Sequence, residues 1–184
     1  MEIRDATAHD LPFLEEMLFE AFFWRPDADR PEFQEFIKEP QFRTLVSGWG
    51  RPGDTAVIAQ QAGASVGAAW YRFWTEHHHS YGYVGEDTPE IGLAVVAAHR
   101  SKGVGRALLK ALVHRAQVQG VAALSLSVDP SNHARWLYES EGFVKVGESG
   151  SSWTYLLRLA GIRQGEKSGT LFMRNSSLPI METQ

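Results

Sequence analysis

The 184-residue sequence contains no cysteine. Disulfide bonds, thiolate metal ligands and a cysteine nucleophile are therefore excluded. Without cysteine, the sequence also gives no sign of an oxidising compartment. Long apolar runs are also lacking, since none approaches the roughly 20 residues that span a bilayer. The first residues show neither a basic leader nor an apolar stretch, so we expect no secretory signal. These absences predict a cytoplasmic protein without membrane contact.

Excess positive charge is lacking too. The net charge is -4 and the isoelectric point is near 6.0, which argues against a nucleic-acid-binding protein. Acidic residues, of which the chain has 22, are nevertheless absent from Ile91 to Val128. The same window carries Arg100, Lys102 and Arg106 around two glycines. This local reversal of charge indicates a site for an anion.

Hydrophobic periodicity predicts alternating strands and helices. The predicted strands lie at 2–7, 55–60, 65–74, 90–98, 124–128, 144–147 and 153–159. The predicted helices lie at 11–24, at 31–47 with a break at Pro40, from Val104 to a stop at Gly120, and at 132–140, with Asp10 as the cap of the first. This order predicts a mixed α/β fold with a partly parallel sheet.

The glycine-rich turn before the third helical region suits a pyrophosphate. Gly103 and Gly105 lack Cβ atoms, and the first N–H groups of a helix have no partners within it. A P-loop is excluded because no Gly-Lys pair is present. A dinucleotide fingerprint is incomplete because Leu108 stands at its third glycine. The third candidate for a pyrophosphate-binding turn is the spacing R-x-x-G-x-G, formed by Arg100, Gly103 and Gly105.

Two stretches resemble the motifs of one family. "EIGLAVVAAHRSKGVGRALL" is similar to the central motif of the GNAT (GCN5-related N-acetyltransferase) superfamily, and "LSLSVDPSNHARWLYESEGFVKVGE" to its following motif, in which an Asn opens a helix. The resemblance implies a twisted, partly parallel sheet of six to seven strands with helices on both faces. It places an acetyltransferase domain at 1–161. Residues 162–184 are then a C-terminal tail, loosely ordered or docking.

The resemblance also implies transfer of an acetyl group from acetyl-CoA, as co-substrate, to a primary amine of a small molecule or peptide. The N–H of Leu93 would face the thioester oxygen. The cofactor-binding positions carried over by the motifs are Leu93, Val95, Arg100, Lys102, Gly103, Val104, Gly105, Arg106, Asn132, Arg135 and Tyr138.

Two side chains stand at positions implied to be catalytic. Tyr138 matches the family tyrosine and would protonate the departing thiolate; packing beside Trp136 and Leu137 is the alternative. Glu90 leads into the central strand and would act as base, with Glu86 and Asp87 as rivals and a surface carboxylate as the plain alternative.

Other positions leave alternatives open. Asn132 either contacts pantetheine or caps its helix, and Arg135 either reaches a phosphate or meets solvent. The His77–His79 run borders the acceptor site or solvent; adjacent imidazoles rarely share one ion, so we expect no metal.

The acceptor itself is not determined by the sequence. The segments expected around it carry aromatic and acidic side chains: Phe19, Phe22, Phe23, Trp24, Trp74, Tyr81, Tyr83 and Trp153, with Glu16, Glu20, Asp27 and Asp29. The competing hypothesis is a non-catalytic acyl-CoA-binding or assembly module of the same fold. A homodimer is compatible with either.

Overall fold

The computed structural model describes residues 1–160, so the predicted tail lies outside the described residues. The strands are β1 (Glu2–Asp5), β2 (Thr55–Gln61), β3 (Ala64–Arg72), β4 (Glu90–Val95), β5 (Ala123–Val128), β6 (Val144–Ser149) and β7 (Ser152–Arg158). The α-helices are α1 (Leu11–Phe22), α2 (Phe33–Phe36), α3 (Pro40–Val46), α4 (Val104–Val118) and α5 (Ala134–Ser140). No helix of this part of the chain is long and apolar enough to cross a membrane.

The strands form one mixed sheet in the order β1-β2-β3-β4-β5-β7-β6. Every neighbouring pair is antiparallel except β4 and β5, which are parallel. Within the described residues these two strands are in register at Glu90 and Ser125 alone. The remainder of β4 and β5 diverges, and the sheet opens at its centre.

Helices cover both faces of the sheet, and each face has its own apolar core. Val57 and Ala59 of β2 pack with α4, whereas their neighbours Ala56 and Ile58 pack with α1 and α3. The alternation follows from the two-residue period of a strand, which sends successive side chains to opposite faces. The predicted fold class, a seven-stranded partly parallel sheet with helices on both faces, is confirmed.

Several predicted boundaries were wrong. β4 ends at Val95 rather than at residue 98, because the apolar run continues into a 3-10 turn, Ala97–His99. The predicted break of the 31–47 region at Pro40 is confirmed: the region forms two short helices, and Pro40 begins the second of them, where its missing N–H is no loss.

The hydrogen bonds expected from Asp10 as the cap of α1 are also not formed. Asp10 precedes α1, but its carboxylate accepts the Thr7 N–H at 2.7 Å and bonds Arg4 instead of the first N–H groups of α1.

Candidate active site

A cleft of about 960 Å³ lies where β4 and β5 diverge. Its described walls come from α1, β3, β4, the start of α4 and the segment from β5 into α5. Nine of the predicted site residues line it: Glu90, Leu93, Val95, Arg100, Gly103, Gly105, Arg106, Asn132 and Tyr138. Lys102, Val104 and Arg135 are not among its described lining residues.

The N-terminus of α4 faces this cleft with free backbone donors. Gly103 precedes the helix with φ of +82°, a conformation that favours glycine, and no side chain within residues 1–160 caps the helix. The nearest atoms to a Cβ atom on Gly105 would be methyl groups of Leu137 and Leu93 at 3.6 Å and of Val95 at 3.8 Å, which are ordinary contacts. Packing therefore does not require glycine at position 105. The open approach to the first N–H groups suits an anion.

The side chain of Arg100 does not extend into this turn. Its Nε donates to the Val95 carbonyl at 2.9 Å, its Nη1 to the Trp24 carbonyl at 3.2 Å, and its Nη2 to Glu20 Oε2 at 2.6 Å. Arg100 thus joins the end of α1 to the end of β4. Its backbone N–H also has a partner, the Ala97 carbonyl at 3.2 Å.

The other two cations of the turn also have protein partners. Lys102 Nζ donates to the Ala98 carbonyl at 2.9 Å. Arg106 is about half exposed and pairs with Glu141, which directly follows α5. The positive charge near the turn is thus partly balanced by the protein, and the helix N–H groups are the least engaged donors there.

The backbone of β4 is directed into the gap at Leu93. Val96 donates its N–H to Val66 on the β3 side at 3.0 Å. Because alternate residues of an antiparallel strand bond to the same neighbour, Leu93 and Val95 turn their backbone groups to the other side. The Val95 carbonyl there accepts Arg100. The Leu93 N–H is left pointing toward the diverging β5.

Tyr138 reaches the cleft from the face covered by α4 and α5. Its ring packs against Phe143 at 5.8 Å, whereas Trp136 is 59% exposed and gives it no core contact. Burial raises the pKa of Tyr138 to about 12, so the phenol keeps its proton at neutral pH.

Glu90 reaches the same cleft from the opposite face. It is in register with Arg72 of β3, so its side chain shares the face covered by α1. Oε1 accepts the Gly82 N–H at 2.8 Å, and Oε2 is buried with no partner in residues 1–160. Burial raises the pKa of Glu90 to about 7. Its rivals Glu86 and Asp87 are exposed and are not among the described lining residues.

Gly82 is a site residue that sequence reasoning missed. A Cβ atom there would lie 2.6 Å from the Leu126 carbonyl carbon and 2.9 Å from Glu90 Oε1. Only glycine lets the loop lie against β5 and deliver its N–H to the carboxylate. The signal available was a lone glycine between two tyrosines in a loop of polar composition.

Arg72 was also missed, although it is a solitary charge in an apolar strand. It is 1% exposed and forms a two-point pair with Asp54, Nη2 to Oδ2 at 2.6 Å and Nε to Oδ1 at 3.0 Å. Its Nη1 donates to the carbonyls of Leu45 and Ser47. The pair fixes the loop between α3 and β2 beneath the cleft.

The contacts of Asn132 and Arg135 bear on the alternative roles left open by the sequence. Asn132 Oδ1 accepts the Ala134 N–H at 2.8 Å, so it caps the start of α5 and also lines the cleft. The Arg135 guanidinium lies 4.0 Å from the centre of the Trp136 ring and pairs with Glu139.

The histidine run lies in the loop between β3 and β4. The His79 ring stacks on Tyr83 at 4.6 Å, and His78 forms a backbone bridge with Thr75. No group of three or more side chains within residues 1–160 could hold a metal ion.

The described chain matches known proteins at the level of family and fold. The Acetyltransferase (GNAT) family matches residues 11–143. Two mouse proteins, N-acetyltransferase family 8 members 3 and 7, are each 38% identical over 70 residues. That segment is 38% of this chain and 30% of each mouse protein.

Solved acetyltransferases share the fold. Ribosomal-protein-alanine N-acetyltransferase from Brucella melitensis is 22% identical, with a TM-score of 0.62 over 86% of this chain and 100% of that one. The paia N-acetyltransferase from Thermoplasma acidophilum, in complex with coenzyme A, is 18% identical, with a TM-score of 0.64 over 86% and 98%. The yncA protein from Salmonella typhimurium, with acetyl-CoA, is 22% identical, with a TM-score of 0.61 over 91% and 98%. With the family match spanning most of the sequence, the chain belongs to the GNAT family of acetyltransferases.

Proposed function

We propose that the protein transfers the acetyl group of acetyl-CoA directly to a primary amine of a small molecule or peptide. The observation that carries the proposal is the convergence of Glu90 and Tyr138 on one cleft from opposite faces of the sheet. A base and an acid so arranged can serve the two ends of one acyl transfer. The coenzyme complexes of two structural neighbours support the choice of donor.

The residues of the cleft fit the coenzyme. The N–H groups at the start of α4, which no side chain of residues 1–160 caps, would hold its pyrophosphate, with Gly105 giving access to them. The backbone of Leu93 and Val95 would hold the pantetheine arm along the open edge of β4. Bound there, acetyl-CoA supplies the activated acyl group.

Each catalytic group has a defined task in the proposed transfer. Glu90 accepts a proton from the acceptor ammonium, and the freed amine attacks the thioester carbonyl. The Leu93 N–H stabilises the developing oxyanion, a contribution of about 3 kcal/mol for a single donor. As the C–S bond breaks, Tyr138 gives its proton to the thiolate, and the proton then released by the acylated nitrogen restores the phenol. A pKa of about 7 leaves Glu90 roughly half ionised at neutral pH, which suits a base.

An acetyl-CoA-dependent thiol-release assay over amines, amino acids and peptide N-termini tests the proposal. We expect release that depends on the amine and falls by at least about 100-fold in Glu90→Gln. Glu86→Gln is the matched control, because that carboxylate is exposed in the same loop. Coenzyme binding without turnover of any amine would indicate the non-catalytic module instead.

A further inference from the structure

The half of the cleft on the α1 face has an apolar surface, which we call the acceptor wall. It consists of Leu18, Phe22, Leu45, Trp70, Trp74 and Tyr81. Leu18, Leu45, Trp70 and Trp74 are buried, whereas Tyr81 is 48% exposed and packs edge-on against Phe22 at 6.0 Å. The wall is therefore a buried aromatic surface with a tyrosine at its rim. Such a surface binds an apolar group more readily than a polar one.

Charge on this half of the cleft is unfavourable for an anionic acceptor. Arg72 is 1% exposed and its charge is matched by the Asp54 carboxylate, with two carbonyls as further partners. Arg100 donates to Glu20, a carboxylate that it shares with Arg30, and to two backbone carbonyls. Neither arginine of this half is left as a free partner for a substrate carboxylate. Among the described lining residues, Glu90 is a carboxylate without an ion-pair partner in residues 1–160.

Resting on the proposed function, we propose that the acceptor is a primary amine on an aromatic or branched aliphatic stem with no carboxylate beside the amine. The ammonium is attracted by Glu90, and the stem replaces water on the apolar surface. A carboxylate next to the amine would lie close to Glu90, without a cationic partner and out of water. Both the repulsion and the lost hydration oppose its binding.

Matched acceptors test this selectivity in the thiol-release assay. Phenethylamine, phenylalaninamide and phenylalanine share one aromatic stem, as isoamylamine and leucine share one aliphatic stem. We expect kcat/KM at least about 10-fold higher for each amine than for its amino acid, with the amide close to the amine. Equal or better turnover of the amino acids overturns the inference and leaves the proposed function standing.

The other outcomes of the screen are also decisive. Turnover confined to polar or carboxylate-bearing amines overturns the acceptor class alone. If no amine of the broad screen releases thiol, the proposed function fails, and the acceptor class fails with it.

A pair of variants tests the wall itself. Tyr81→Ala removes the exposed rim of the wall and should raise KM for phenethylamine about 5-fold while leaving KM for methylamine unchanged. Val84→Ala is the control, since Val84 is 41% exposed in the same loop and is not a described lining residue. An unchanged KM for phenethylamine in Tyr81→Ala would show that the wall does not contact the acceptor.

Discussion

Replacing Glu90 by glutamine should stabilise the protein, by an amount that grows as the pH rises from 5 to 7. The pKa of Glu90 is about 7 in the folded chain against 4.5 for an ordinary glutamate, because burial disfavours the charged form. The folded state therefore binds this proton more tightly than the unfolded state does. Stability of the wild type falls as the pH rises between these two values and levels off above 7.

The size of the effect follows from the gap between the two pKa values. At about 1.4 kcal/mol per pKa unit, the ionised carboxylate costs about 3 kcal/mol of folding free energy above pH 7. Glutamine stays neutral at every pH and avoids this cost. Its Oε1 can still accept the Gly82 N–H, and its Nε2 takes the place of the unpartnered Oε2.

Urea denaturation of wild type and Glu90→Gln at pH 5, 6, 7 and 8 measures this difference. We expect a small difference in unfolding free energy at pH 5 and the full difference at pH 7 and 8. Glu86→Gln, which alters an exposed carboxylate of the same loop, should show no comparable trend. A difference for Glu90→Gln that does not vary with pH would refute the buried-carboxylate reasoning.

Substitutions at three further positions test other parts of the account. Gly105→Glu should abolish the rise in Tm that acetyl-CoA produces in a thermal-shift assay. Gly105→Ala is the control and should fold normally, because its Cβ meets only ordinary contacts. A retained shift in the glutamate variant would show that the turn does not bind the coenzyme. Tyr138→Phe should lower kcat by about 100-fold with little change in acetyl-CoA affinity, and unchanged turnover would remove the phenol from the mechanism. Asp54→Asn leaves the buried charge of Arg72 without its carboxylate partner. The unfolding free energy measured by urea titration should therefore fall by about 3–5 kcal/mol. A loss below about 1 kcal/mol would contradict the structural role of the pair.

Much of the fold could be predicted because its signals are local. The apolar run beginning at Ile91 predicted a central strand covered on both faces, and the helical spacing after Val104 predicted α4. The end of β4 could not be predicted, since Val96 and Ala97 are as apolar as the strand itself. The strand ends at Val95 because the chain enters the 3-10 turn Ala97–His99.

Candidate site residues could be predicted where they occupy a position in a sequence motif. They could not be predicted where their role depends on which distant residue they pair with. Glu90 and Tyr138 could be named from their places beside the two motifs. The engagement of Arg100 with Glu20 joins residues 80 apart, and the Arg72–Asp54 pair joins residues 18 apart. No local pattern indicates which carboxylate neutralises which arginine.

The most direct test of the account is the response of the backbone amides of α4 to acetyl-CoA. In ¹⁵N-resolved NMR spectra, titration with acetyl-CoA should shift the amide signals of Val104, Gly105 and Arg106 more than those of the same helix beyond its first turn. Saturable binding elsewhere that leaves these three signals unmoved would contradict the assignment of the coenzyme to the start of α4.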